Sequence, residues 1–229
     1  MTTDNGQLTW YNRGMSIAFP SNLQQRLSDL GDIELSRVVT VPAPGNATVD
    51  DLLRLRMTSS RCYELVDGTL VEKAMGWRES LLAAVIIKLL GYFLDQNRLG
   101  VVTGPDGLMR IYGSTVRGPD VAFVAWNRLP GGKIPDDPIP AIVPNFVVEI
   151  LSESNTYGEM SRKRREYFQA GVEVVWMVDL RERSITVYSS VSEYMTLIDG
   201  DLANAGHVLP GWQLDVRLLF DELDRGREN

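Results

Sequence analysis

Four charged residues stand where the local pattern of this 229-residue chain asks for apolar ones. In "NFVVEILSESN" (145–155), Glu149 interrupts a run of Phe146, Val147, Val148, Ile150 and Leu151 that otherwise suits a strand covered on both faces. Asp120 follows Pro119 at the mouth of the apolar segment "DVAFVAW" (120–126). Lys163 shares a helical face with Met160 and Tyr167, and Glu79 extends the Leu82–Ile86 stripe at the start of a long helical pattern. A carboxylate taken out of water costs several kcal/mol unless it is paired or coordinates a cation, on the order of 2–7 kcal/mol even for a neutral polar group. Polar residues at core positions are therefore where function is expected.

Each residue also has an ordinary explanation. Glu149 could face solvent beside an Arg or Lys. Asp120 could belong to a turn, since Asp near Pro is common there. Lys163 could lay its stem on the core with its amine in water, and Glu79 could complement a helix dipole. Taken together, two or three carboxylates and one ammonium drawn from two strands and two helices suit a hard divalent cation. Mg²⁺ takes oxygen ligands and keeps several waters. A cation held by Asp120 and Glu149 would activate a water and polarise a phosphodiester, and Lys163 would stabilise developing charge.

Composition removes other chemistries. A single histidine, His207, leaves almost no material for a His-based zinc site or a Ser-His triad. A single cysteine, Cys62, allows no intramolecular disulfide, and the expectation is a reducing, cytoplasmic compartment. The net charge of −7 argues against broad non-specific nucleic-acid binding. The longest apolar segment is interrupted by Lys88, so no membrane span is expected, and the N-terminus does not read as a signal peptide.

The elements that must position these residues read as follows. Residues 1–20 form a lead-in. "SNLQQRLSDLG" (21–31) is a helix with Ser21 as cap and Gly31 as stop, and "TVDDLLRLR" (48–56) is a second helix capped by Thr48 with Asp51 three residues on. "CYELVDGTLVEKA" (62–74) is a hairpin turning at Asp67-Gly68. The longest helix spans 78–97 with a stripe of Leu82, Ile86, Leu89, Leu90 and Phe93. Strands are expected at 100–104, 108–113, 120–126 and 146–151, then a helix at 158–171 ended by Gly171, strands at 172–180 and 184–190, and a loop with a short helix over 208–225. That order predicts one α/β domain with a mixed sheet and helices on its faces.

The segments "YELVDGTLVEK", "VRGPDVAFVAWNRLP", "PNFVVEILSESNTYGEMSRKRREYFQAGVEVVWMVDLRERSITVY" and "VLPGW" occur in the order and spacing of a known family. Over residues 45–220 the chain resembles a large bacterial restriction-endonuclease family of the PD-(D/E)XK nuclease superfamily. The resemblance implies a restriction-endonuclease-like central mixed β-sheet flanked by helices, occupying residues 46–229. Residues 1–45 lie outside the best-matching part, as an N-terminal helical and hairpin extension. It implies that Asp120 is the Asp of the "PD" element, that Glu149 is the first acid of "(D/E)XK", and that an acid on the first core helix falls on Glu79, with Glu64 or Glu72 as alternatives. Leu151 stands in the motif's lysine slot, and the resemblance moves that lysine to Lys163 on the following helix. It further implies an endonuclease hydrolysing DNA with Mg²⁺ or Mn²⁺, acting as a homodimer. Arg162, Arg164, Arg165 and Arg117 are candidate nucleic-acid contacts, and Trp10 and Tyr11 belong to a candidate partner arm. The alternatives are a nuclease fold that binds nucleic acid or protein without cutting, and a structural protein whose charges form a buried ion-pair network.

Overall fold

The structure, a computed structural model, describes residues 23–73 and 75–225. The lead-in, the Ser21 cap, Trp10 and Tyr11 lie outside the described residues. Helix α1 (Leu23–Asp29) and helix α2 (Val49–Thr58) precede a hairpin of β1 (Tyr63–Val66) and β2 (Thr69–Glu72). Helix α3 (Trp77–Asn97) leads to β3 (Gly100–Thr103), β4 (Met109–Tyr112), β5 (Thr115–Arg117) and β6 (Val121–Ala125). Then come β7 (Phe146–Leu151), α4 (Tyr157–Ala170), β8 (Val174–Asp179), β9 (Ser184–Tyr188), β10 (Tyr194–Leu197), β11 (Leu202–Asn204), β12 (Gln213–Asp215) and α5 (Val216–Asp221). No described helix is long and apolar enough to cross a membrane.

Local chemistry explains several of these elements. Thr48 accepts from the Asp51 N–H while Asp51 accepts from the Thr48 N–H, the reciprocal cap that starts α2. Asp67 and Gly68 both adopt positive φ, 46° and 68°, as a two-residue hairpin turn with the strands' twist requires. Gly171 ends α4 in a left-handed conformation, with φ 104°.

The main sheet has the order β10-β9-β8-β7-β6-β3. Only β7 and β8 run parallel, and the other neighbours are antiparallel. A parallel neighbour needs a crossover, and α4 supplies it, which lays that helix back over β7. Strand alternation then divides β7 between two cores. Phe146, Val148 and Ile150 pack with Leu82, Ile86 and Leu90 of α3 and with Trp176. Val147 packs on the opposite face with Tyr167 of α4, Ala122 and Val175. Glu149 shares the face of Val147 and is brought under α4 by the same alternation.

A second, four-stranded antiparallel sheet has the order β2-β1-β5-β4. It carries Glu64 on β1 and Arg117 on β5, both buried. The segment before the hairpin packs with it, Leu30, Ile33 and Val38 forming a small core with Val66 and Val71. It meets α4 at Gly31, where φ is 96° and an added Cβ would lie 2.2 Å from the Glu159 nitrogen. Gly31→Ala should therefore destabilise the protein by about 1–3 kcal/mol through its backbone conformation, with the clash added. An unchanged urea midpoint would refute this.

Some expectations needed correction. Leu89 is 40% exposed, because the buried side of α3 runs along Leu82, Ile86, Leu90 and Leu94 instead. Strand β5 was not expected, nor were β10, β11 and β12. β5 and the β11–β12 pair are three residues each, and β10 is exposed on both faces, so none shows an apolar alternation. The short C-terminal helix falls where it was expected, over Val216–Asp221.

Candidate active site

Four acids, two lysines and an arginine meet where α4 bridges the two sheets. Asp120 precedes β6, and its Oδ2 accepts the Ile150 N–H at 2.6 Å, tying it to the strand residue next to Glu149. Its Oδ1 lies 2.7 Å from Lys73 Nζ. That ion pair is off the line of a hydrogen bond, so Oδ1 has a cationic neighbour but no aligned donor among the described residues. Glu149 Oε2 accepts from Lys163 Nζ at 3.2 Å, and its Oε1 accepts from the Tyr167 hydroxyl. Lys163 Nζ also lies 3.4 Å from Glu64 Oε2. Glu64 in turn accepts from Arg117 at 2.6 Å and from the Gly118 N–H at 3.0 Å. Arg117 also binds Glu166 through its Nε at 2.8 Å.

The helix makes this possible by spacing. Lys163, Glu166 and Tyr167 lie three and four residues apart, so one face of α4 delivers an ammonium, a carboxylate and a phenol to the same place. Met160, one turn earlier on that face, is apolar and buried. At the helix N-terminus Arg37 grips Glu159 with both ends of its guanidinium, at 2.8 and 2.7 Å, and Thr156 caps the Glu159 N–H at 2.9 Å.

Burial sets the electrostatics. The side chains of Asp120, Glu149, Glu64 and Lys163 are each 3% exposed. Desolvation opposes the charge on Glu64, but Lys163, Arg117 and Lys73 outweigh it and hold that carboxyl below its ordinary range. Desolvation also pushes Glu149 up; Lys163 and Lys73 oppose this, while Asp120 and Glu64 add to it, and the net is a raised pKa. Burial opposes the charge on Lys163, but Glu149 and Glu64 outweigh it and hold the ammonium above its ordinary range. One ammonium is thus shared by two acids, and Glu149 is the one whose charge is less supported. Burial and Glu149 together push the Tyr167 phenol up, so it stays a donor.

The Arg37–Glu159 pair gives a pH-dependent test. Burial would raise Glu159, but Arg37 outweighs it and holds the carboxyl below its ordinary value of 4.5. A depressed acid contributes stability that is present above its unfolded pKa and is lost as pH falls through the folded one. The stability gap between the wild type and Glu159→Gln should be full above pH 4.5 and close below it, in urea titrations across that range. A gap independent of pH would exclude this pair as its source.

The sequence-expected residues fall in different places. Asp120, Glu149 and Lys163 belong to one cluster, linked through Ile150, Lys73 and Glu64. Of the alternative acids, Glu64 is inside it, while Glu72 pairs with Arg61 at 2.7 Å. Glu79 has no hydrogen bond or ion pair to the cluster among the described residues. It lines a cleft of about 800 Å³ with Leu151, Met160, Arg164 and Met177. Leu151 is the same-face neighbour of Glu149 and Met177 is its cross-strand partner, so the cluster adjoins the wall of this cleft. Arg117, a candidate nucleic-acid contact, is buried inside the cluster rather than on the surface. Arg162 bonds Glu166 at 2.6 Å and Arg164 stacks on Tyr188 with its guanidinium 4.4 Å from the ring centre, whereas Arg165 is exposed.

Lys73, Glu166 and Tyr167 were missed. Glu166 and Tyr167 carried a signal, since they share the helical face of Lys163. Lys73 carried none, because it ends a hairpin where an exposed lysine is ordinary.

Among the described residues no three or more His, Cys, Asp and Glu side chains form a metal-binding group. Asp120 and Glu149, the acids expected to hold a metal, are carboxylates, the ligand type that a hard cation takes. Mg²⁺ is commonly held by one or two carboxylates with water and substrate phosphate completing its shell, so the set is of the right kind. The unaligned Asp120 Oδ1 is the buried oxygen with coordinating capacity to spare.

Residues 49–217, well over half of the chain, match the model of the family described as "Putative restriction endonuclease". The chain belongs to this family. Its fold is that of a crystal structure described as "a putative nuclease belonging to DUF820" from Anabaena variabilis, with a TM-score of 0.67 and 20% identity over 77% of this chain and 98% of that one. No curated protein matches. Family and fold together support a nuclease function in general terms and the restriction-endonuclease-like mixed sheet.

Proposed function

We propose that this family member is a metal-dependent endonuclease that hydrolyses phosphodiester bonds in DNA, with Mg²⁺ or Mn²⁺ held by Asp120 and Glu149. The observation that supports this best is the ammonium of Lys163, 3.2 Å from Glu149 and 3.4 Å from Glu64. It comes from α4 and stands in for the lysine that Leu151 displaces from the strand. Bound metal supplies Lewis-acid polarisation and a water of lowered pKa.

The chain's own residues do the rest. The Ile150 N–H orients Asp120, and the Tyr167 hydroxyl holds one oxygen of Glu149. Lys163 offers a fixed positive charge to the phosphate as negative charge grows on it. Glu79, on the cleft wall, is a further candidate acid. Arg164 and Arg165 offer α4 as a positive contact for the DNA backbone, while Arg117 is engaged by Glu64 and Glu166, and Arg162 by Glu166 and Asp67. A homodimer in a reducing, cytoplasmic setting completes this reading.

A second reading, a nuclease fold that binds nucleic acid or protein without cutting, is favoured by the cationic partner that each cluster acid already has. The test is cleavage of single- and double-stranded DNA with Mg²⁺ or Mn²⁺, comparing wild type, Glu149→Ala and Lys163→Ala. Cleavage by wild type alone supports the assignment. Equal cleavage by all three overturns it, and no cleavage by any of them leaves the binding reading.

A further inference from the structure

Lys73 is a cluster cation beside a proposed metal ligand that the catalytic reading leaves without a role. Its side chain is 6% exposed, and its ammonium lies 2.7 Å from Asp120 Oδ1 and donates to the Gly118 carbonyl. Burying an ammonium so completely is costly unless a specific anion holds it. That anion is the oxygen with no aligned hydrogen-bond donor, the same one free to bind a cation.

The two lysines of the cluster differ in their mounting. Lys163 is in the middle of α4, between two carboxylates. Lys73 follows the last residue of β2, ahead of α3, and its backbone N–H is tied to the Cys62 carbonyl at 2.9 Å. Two and three residues on, Met75 and Gly76 line the 800 Å³ cleft. A lysine stem is flexible, so this ammonium can turn away from Asp120 with its backbone fixed, and the cleft wall begins two residues on.

We infer that Lys73 is a resident counter-ion that competes with the divalent cation for Asp120, so that metal binding requires its ammonium to swing out. In the absence of metal, Lys73 compensates the buried charge. A divalent ion binds the same oxygen and releases it, and the strength of the Lys73 contact sets the metal concentration at which the site fills. This inference rests on the metal reading above and adds a residue that tunes it.

Two measurements test it. Isothermal titration with Mn²⁺ should find Lys73→Met binding about 10- to 100-fold tighter than wild type, the lower end of the range for one close charge pair. In wild-type protein, acetic anhydride labelling read by mass spectrometry should modify Lys73 far more with Mn²⁺ than without, while Lys163 stays protected. The labelling needs no variant, so it decides even if Lys73→Met folds poorly. Affinity unchanged or weakened in Lys73→Met, or Lys73 labelling indifferent to Mn²⁺, overturns the inference. If Glu149→Ala loses Mn²⁺ binding while Lys73→Met binds no tighter, the metal reading stands and the role of Lys73 falls. If neither wild type nor Lys73→Met binds Mn²⁺, both fall.

Discussion

Lys163→Met should lower the rate of DNA cleavage at saturating metal by about 10²–10³-fold, the usual effect of removing one preorganised charge that stabilises a transition state. Methionine keeps most of the stem, so packing under α4 is largely preserved while the ammonium is lost. The loss should appear in kcat more than in KM, because the charge is needed most as negative charge develops on the phosphate. A structural change would accompany it in a particular way. Glu149 and Glu64 would lose their shared cation, and one of them would take up a proton. An acid whose folded pKa is raised binds its proton more tightly folded than unfolded, so the variant should gain stability relative to wild type as pH falls through that raised folded pKa. Undiminished kcat would remove Lys163 from the chemistry. Lost kcat with no such pH-dependent stability would mean that the ammonium does not serve both acids.

Arg117→Met should cost about 3–5 kcal/mol of stability, the range for breaking a buried ion pair by removing one partner. Arg117 bonds Glu64 at 2.6 Å and Glu166 at 2.8 Å, and those acids are 3% and 5% exposed. Glu166 keeps Arg162, and Glu64 keeps Lys163, so neither is left without any cation. The lost contact is nonetheless the link between β5 of the second sheet and α4 of the first. Urea denaturation should show a much lower midpoint, and Arg117→Met combined with Glu64→Gln and Glu166→Gln should recover part of it by removing the stranded charges. A cost below about 1 kcal/mol would show that water reaches these acids and that the cluster is not the dry network its burial describes.

The local rules were readable from the chain because they depend on near neighbours. Thr48 with Asp51, Asp67 with Gly68, and Gly171 after α4 are each determined within a few residues. The same holds for the oddity of Glu149, an acid among five apolar residues. Strands β5, β10, β11 and β12 were not readable because they are short or unburied, and a strand without a buried face writes no alternation into the sequence. Leu89 departs from the expected stripe for a related reason: the chain shows that α3 is apolar, but which azimuth is buried depends on what α3 packs against.

By itself the sequence determined the family pattern, the presence of Asp120, Glu149 and Lys163 at positions unsuited to charge, and the displacement of the motif's lysine by Leu151. Which charges share one site was decided by the tertiary structure alone. Lys163 reaches Glu149 because parallel strands β7 and β8 force α4 back over the strand it follows. Glu64 and Lys73 join them because the hairpin packs against that helix, 85 to 99 residues earlier in the chain for the pair Glu64 and Glu149 and the pair Glu64 and Lys163. Side-chain type is local information, whereas charge compensation in a dry interior depends on distances of a few ångströms between residues far apart in sequence, and those exist only once the chain has folded.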